Sequence, residues 1–158
     1  MHEELASKLV GSVAVVGVGD VRRGDDGAGP LVIQLLAEAG VECVIDSGAS
    51  PELDTWKLRE LAPDTVLFVD AVDFGGAPGD AALLSPTDLR TSGFDTHRAP
   101  LRLTMEYLER GLECKCFVLA IQPKDARYGS PMSDEVKRSA ANLAGGLRSI
   151  IGQTSERA

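Results

Sequence analysis

The sequence is poor in the features that would staple a secreted scaffold, span a membrane or grip nucleic acid. Three cysteines in 158 residues, Cys43, Cys114 and Cys116, are too few and too oddly numbered for a disulfide framework. The apolar stretch that begins at Leu9 follows Glu3 and Glu4 and runs into a charged glycine-rich loop, so it reads as a buried strand and not as a secretion signal. A reducing cytoplasm is the expected location. No run reaches the ~18 apolar residues that a membrane span requires, and no membrane partner is expected. Lysine and arginine number 16 against 24 aspartate and glutamate, a net charge of −8, which is the wrong sign for neutralising phosphates and sets nucleic acid aside. Histidine is scarce as well, with only His2 and His97.

What is present fits one ordinary globular domain over residues 1–158, with an ordered core of about 9–152 and frayed ends at 1–7 and 153–158. Apolar runs at Val13 to Val18, Val41 to Ile45, Thr65 to Val69 and Cys116 to Ile121 read as strands buried on both faces. Helical patterns lie between them. The first runs from Pro30 to Gly40, and the second follows Pro51 with a stripe of Leu53, Trp56 and Leu61. The third carries Leu101, Met105 and Leu108 from Pro100 to Gly111, and the last starts at a Ser133 cap with Val136, Ala140, Leu143, Leu147 and Ile151 as its stripe. Strand and helix alternate, which predicts a mostly parallel sheet covered on both faces. One connection of roughly 28 residues, before the third helix, holds only a weak strand signal at Ala81 to Leu84, and a connection that long is usually functional.

Ligands of open α/β sheets bind beyond the carboxyl ends of the strands. There this chain delivers Asp20, Asp25 and Asp26 in a glycine loop, Asp46 after the second strand, Asp70 and Asp73 after the third, and Thr96 with His97 ahead of the third helix. Several carboxylates and one imidazole on one edge point to a cation site, since like charges held together need neutralising. Cys114 and Cys116 read as core packing, because a lone C-x-C lacks zinc-site spacing. Arg22 and Arg23 read as a solvated loop pair that could also grip a carboxylate of a partner.

Three functions compete for these residues. Gly17-Val18-Gly19 after a strand, with Asp46 further on, has the start of a dinucleotide fingerprint, but Arg22 stands where the third glycine belongs. A phosphoacceptor receiver domain would use Asp25 and Asp26 for magnesium, Asp70 for phosphate and Thr96 with Lys124 as sensors, and leaves His97 without a task. The third reading rests on collinear pieces: Val15-Val16-Gly17-Val18-Gly19-Asp20, Gly24-Asp25-Asp26-Gly27-Ala28-Gly29-Pro30, Asp46-Ser47-Gly48-Ala49-Ser50-Pro51-Glu52, Val69-Asp70-Ala71, Pro78-Gly79, Thr96-His97, Ile121-Gln122-Pro123 and Pro131-Met132-Ser133. Over about residues 12 to 151 this pattern strongly resembles the nickel-iron hydrogenase maturation endopeptidases.

The resemblance implies a three-layer α/β/α sandwich of the phosphorylase/hydrolase-like type, with a mostly parallel five-stranded sheet and one antiparallel strand at Ala81 to Leu84. It implies a peptidase that removes the C-terminal extension of a nickel-iron hydrogenase large-subunit precursor once nickel is in place. Asp26, Asp70 and His97 fall on the family's metal-contacting and catalytic positions. Asp46, Ser47, Gly48, Ala49 and Ser50 fall on its substrate-reading loop, and Gly17, Gly19, Gly24, Asp25 and Gly27 shape the first loop. Nickel is expected to arrive with the substrate, with another divalent ion able to occupy the site in isolation, and the protein is expected to act as a monomer. Asp20 stands where the family commonly has Asn, and Ser47 replaces the first glycine of the second loop. Two carboxylates and an imidazole leave open positions on a divalent ion, which suits hydrolysis by a metal-activated water. No Ser-His or Cys-His pair is evident. A non-catalytic checkpoint for nickel loading would use the same residues.

Overall fold

A computed structural model describes residues 1–91 and 99–157. Five strands form one sheet: β1 (Val13–Gly17), β2 (Val44–Asp46), β3 (Thr65–Ala71), β4 (Ala81–Leu84) and β5 (Lys115–Ile121), in the spatial order β2-β1-β3-β5-β4. The three parallel pairings and the one antiparallel pairing follow the prediction. β1 runs parallel to β2 and to β3, β3 runs parallel to β5, and β4 closes the edge antiparallel to β5, with Ala81 opposite Ile121. The expected three-layer sandwich, mostly parallel with one antiparallel strand, is therefore the fold observed. A receiver domain has the order 2-1-3-4-5, which this sheet does not share.

Side chains that alternate along β3 show why both faces need helices. Leu67 and Val69 face a core that includes Leu5, Val32, Leu36, Val136 and Leu147, whereas Val66 and Phe68 face one with Leu58, Leu101, Met105 and Leu108. On the first face lie α1 (His2–Lys8), α2 (Ala28–Glu38) and α6 (Asp134–Arg157); on the second lie α3 (Thr55–Leu61) and α5 (Ala99–Leu112). Leu101, Met105 and Leu108 are all buried, as the spacing predicts for one face of a helix.

The first residues, expected to fray, form α1, with Leu5 in the core at 1% exposure. At the other end α6 continues to Arg157. The second strand is only three residues long: Val41 donates its N–H to Leu36 as part of the end of α2, so the apolar run overstates β2. In α3 the stripe is wrong, since Leu53, Trp56 and Leu61 are exposed and Leu58 alone is buried, and the long connection contains a helix, α4 (Pro86–Thr91), besides β4.

The start of α2 is seated hard against the sheet. A Cβ on Gly29 would lie 2.2 Å from the Val69 carbonyl oxygen and 2.5 Å from that of Val18. Only glycine allows this approach, which brings the segment before α2 to the carboxyl ends of β1 and β3.

Candidate functional site

The glycine loop ends in a 3-10 turn, Gly24–Gly27, whose residues are all buried. Gly19 has φ +146°, and a Cβ there would sit 1.9 Å from the Asp26 carbonyl oxygen, so the loop folds back on itself around a residue that must be glycine. Asp26 is 9% exposed, and its Oδ2 accepts the Asp20 N–H at 2.7 Å. Asp70, the penultimate residue of β3, is fully buried. It stands one residue past Val69, whose carbonyl both receives the Val18 N–H at 2.9 Å and abuts Gly29. The fold thus places Asp26 in the loop that follows β1 and Asp70 near the carboxyl end of the neighbouring β3.

His97 and Thr96 lie outside the described residues. Among the described residues no group of three His, Cys, Asp or Glu side chains gathers as a metal cage. The loop after β2 is sewn to the glycine loop by two backbone bonds, Ser47 N–H to the Gly17 carbonyl at 2.9 Å and Gly19 N–H to the Gly48 carbonyl at 2.8 Å. Ser47 Oγ also donates to Asp54 at 2.8 Å, and Asp46 is exposed, accepting the Gly48 N–H at 3.1 Å. Ala49 is exposed and Ser50 half-buried. A groove of about 430 Å³ runs from Gly27 to Asp46, lined by Val21, Pro30, Leu31 and Met132. A somewhat larger one, about 480 Å³, lies at the opposite end of the sheet beside Gly11, Cys43 and Arg148, away from these carboxylates.

Asp25 has a different task from its neighbour. It is fully buried, and its carboxylate accepts four hydrogen bonds: Lys124 N–H at 2.8 Å, Asp125 N–H at 3.0 Å, Ser133 N–H at 2.6 Å and Ser133 Oγ–H at 2.9 Å. Burial would raise its pKa, but these bonds, chiefly from the Asp125, Ser133 and Lys124 backbone, outweigh burial and hold the carboxyl below the usual range. The Asp25 N–H completes the clasp by donating to the Asp125 carbonyl at 2.9 Å. One carboxylate thereby fastens the glycine loop to the connection between β5 and α6.

Sequence reasoning missed two parts of this edge. Ser133 reads as a helix cap, and its Oγ does accept the Val136 N–H at 3.4 Å, but it also supplies half of the Asp25 socket. Gln122, 6% exposed, accepts the Phe74 and Gly76 N–H groups at 2.9 and 3.0 Å and donates to Asp73 at 3.0 Å, holding the loop after β3. Only its place in Ile121-Gln122-Pro123 gave any signal. Arg22, read as a solvated residue, forms a two-pronged bond with Asp20 of its own loop at 3.0 Å on each prong. The extra charge of Asp20 is met in this way, and its pKa is lowered to about 2, chiefly by the Arg22 side chain. Lys124, the sensor of the receiver reading, extends toward Glu135 at 3.5 Å.

The paired cysteines of the core offer no nucleophile. Cys114 and Cys116 are buried with their sulfurs 3.9 Å apart, and burial pushes both thiols above their ordinary pKa, so neither ionises near neutrality.

These features define a three-layer α/β/α protein with one buried acidic residue in the loop after its first strand and another near the end of its third. The hydrogenase maturation protease family, HycI, matches residues 31–147. The hydrogenase 3 maturation protease of Escherichia coli is 38% identical over 123 residues, 76% of this chain and 78% of that protein. Among solved structures, the nickel-iron hydrogenase maturation protease HycI of Thermococcus kodakarensis superposes with a TM-score of 0.87 at 28% identity, covering 94% of this chain and 99% of the other. The endopeptidase HycI of Escherichia coli gives a TM-score of 0.79 at 34% identity, covering 87% and 90%. The chain belongs to the hydrogenase maturation protease family and is a peptidase. That membership displaces both the receiver and the non-catalytic readings.

Proposed function

We propose that this peptidase removes the C-terminal extension of a nickel-iron hydrogenase large-subunit precursor after nickel insertion. Asp26, Asp70 and His97 contact the nickel that the precursor carries, and cleavage is conditional on that metal. The observation that supports the reading is the burial of two carboxylates beyond or at the carboxyl ends of neighbouring parallel strands: Asp26, 9% exposed in a glycine loop that no bulkier residue could form, and Asp70, fully buried in β3. Carboxylates with an imidazole suit a borderline divalent ion. In the hydrolysis a water oxygen bonds to the scissile carbonyl carbon, the C–N bond breaks, and the water proton passes to the departing amine. An ion at this position would polarise the carbonyl and lower the pKa of the water toward ~7. The loop Asp46, Ser47, Gly48, Ala49 and Ser50, with the adjoining groove, receives the peptide. Free thiols at Cys43, Cys114 and Cys116 favour work in a reducing cytoplasm.

Mass spectrometry of a large-subunit precursor incubated with the protein tests this. The expected result is loss of a short C-terminal peptide from the nickel-loaded precursor, absent with His97→Ala and with Asp26→Ala. An unchanged mass for a loaded cognate precursor would refute it.

A further inference from the structure

A chain of net charge −8 collects Arg22, Arg23, Lys124 and Arg127 on the two loops that flank Asp26, with side chains 69%, 54%, 57% and 82% exposed. The two loops use the same device. In each, an aspartate accepts the backbone N–H of the residue two places on and grips that residue's guanidinium by two prongs: Asp20 with Arg22 at 2.9, 3.0 and 3.0 Å, and Asp125 with Arg127 at 3.0, 3.0 and 2.8 Å. The loops are also tied to each other. Gly129 donates its N–H to the Arg22 carbonyl at 2.8 Å, Asp25 donates to Asp125, and the Arg22 guanidinium lies 5.8 Å above the Tyr128 ring.

Exposed ion pairs of this kind contribute little to stability. Their effect is on orientation. A guanidinium has five N–H donors, and each bracket engages Nε and Nη2, so that Nη1 remains a donor beyond the bracket on side chains 69% and 82% exposed. Two such groups, held in advance, lose less freedom on meeting a carboxylate than free arginines would. Val21 and Tyr128, 70% and 67% exposed, flank them, and arginine with tyrosine is the composition of binding hot spots. The rim is continuous with the site, since the Asp20 N–H is the donor to Asp26 at 2.7 Å.

We propose that Arg22 and Arg127 form a docking rim for an acidic segment of the substrate polypeptide. The assignment of that segment to the substrate rests on the peptidase reading; the preference for an acidic peptide rests on the two brackets alone.

Two measurements test it. An N-acetylated hexaglutamate peptide titrated into the protein should shift the Nε–H resonances of Arg22 and Arg127 saturably. The shifts should vanish at about 0.5 M salt, where screening is short-ranged, and a hexalysine peptide should produce none. With the precursor, the pair Arg22→Gln and Arg127→Gln should raise KM roughly three- to tenfold, the sum of two exposed pairs, with kcat within about twofold. Retention of tight binding by Arg22→Lys with Arg127→Lys would show charge alone to be enough and would overturn the orienting role. Absence of shifts with hexaglutamate would overturn the rim, as would an unchanged KM in the glutamine pair. Loss of self-association in that pair without a peptide shift would make the rim a contact between copies, which also overturns it. If hexaglutamate binds and every loaded precursor stays intact, the rim stands and the proposed substrate falls.

Discussion

Two loops leave the carboxyl ends of neighbouring strands, one after β1 and one after β3, and each is pinned by one buried polar side chain, but the pins differ. The loop after β1 carries its own, Asp25, an ionised group that receives four hydrogen bonds from Lys124, Asp125 and Ser133. The loop after β3 is held from outside by the neutral amide of Gln122, which accepts two backbone N–H groups and donates to Asp73. A buried charge is tolerable only when its lone pairs are all met, so the first loop is fixed on every side. An amide can leave more freedom at less cost. The rigid loop is the one next to Asp26; the softer one leads into the long connection that ends at His97.

Breaking the charged pin should have the largest effect. Asp25→Ala leaves three backbone N–H groups and a hydroxyl without their acceptor and is expected to lose about 3–5 kcal/mol of stability, read by urea unfolding. A loss under about 1 kcal/mol would mean that the socket is filled by water at little cost. Gln122→Ala should lose about 1–3 kcal/mol, with faster amide exchange at Phe74 and Gly76 and unaltered exchange at Lys124 and Asp125. Equal acceleration in both loops would erase the distinction between the pins.

A titration sharpens the same contrast. The Gln122 side chain, with the Gly75 N–H, holds the Asp73 carboxyl below the usual carboxylate range. A depressed carboxylate contributes stability above its unfolded pKa of about 3.9, and that contribution is lost as the pH falls through the folded value. In Gln122→Ala the Asp73 resonance should titrate at higher pH than in the wild type, nearer the ordinary value. The smallest effect is expected at Trp56, 53% exposed on α3: Trp56→Ala should change stability by no more than about 0.5 kcal/mol, whereas Leu58→Ala, from the same helix, should cost about 2–4 kcal/mol. Comparable losses would mean that the sequence stripe of α3 was right and the observed burial wrong.

The strands were legible because they depend on local properties, β-branched runs bounded by glycine, and the antiparallel edge strand was legible through the family resemblance. The stripe of α3 was not, since a seven-residue helix offers two turns and several equally good apolar faces; which face turns inward depends on α5 and the sheet. Nor was α4, whose six residues are mostly polar. Ser133 and Gln122 were hidden for another reason. Their partners lie 108 and 46 to 49 residues away in sequence, and no spacing rule reports a bond that only the finished sheet creates. Asp25 was legible as part of the glycine loop and illegible as a clasp.

The proposed action of Asp26 and Asp70 with His97 on a nickel-bearing precursor is open to direct test. The most direct test follows release of the C-terminal peptide from nickel-loaded and nickel-free precursor by wild type, Asp26→Asn and Asp70→Asn, with thermal unfolding of each protein in parallel. Wild type should cleave only the loaded form, and both variants should fail on it while still melting cooperatively. Equal cleavage of loaded and nickel-free precursor, or undiminished cleavage by either folded variant, would contradict the claim.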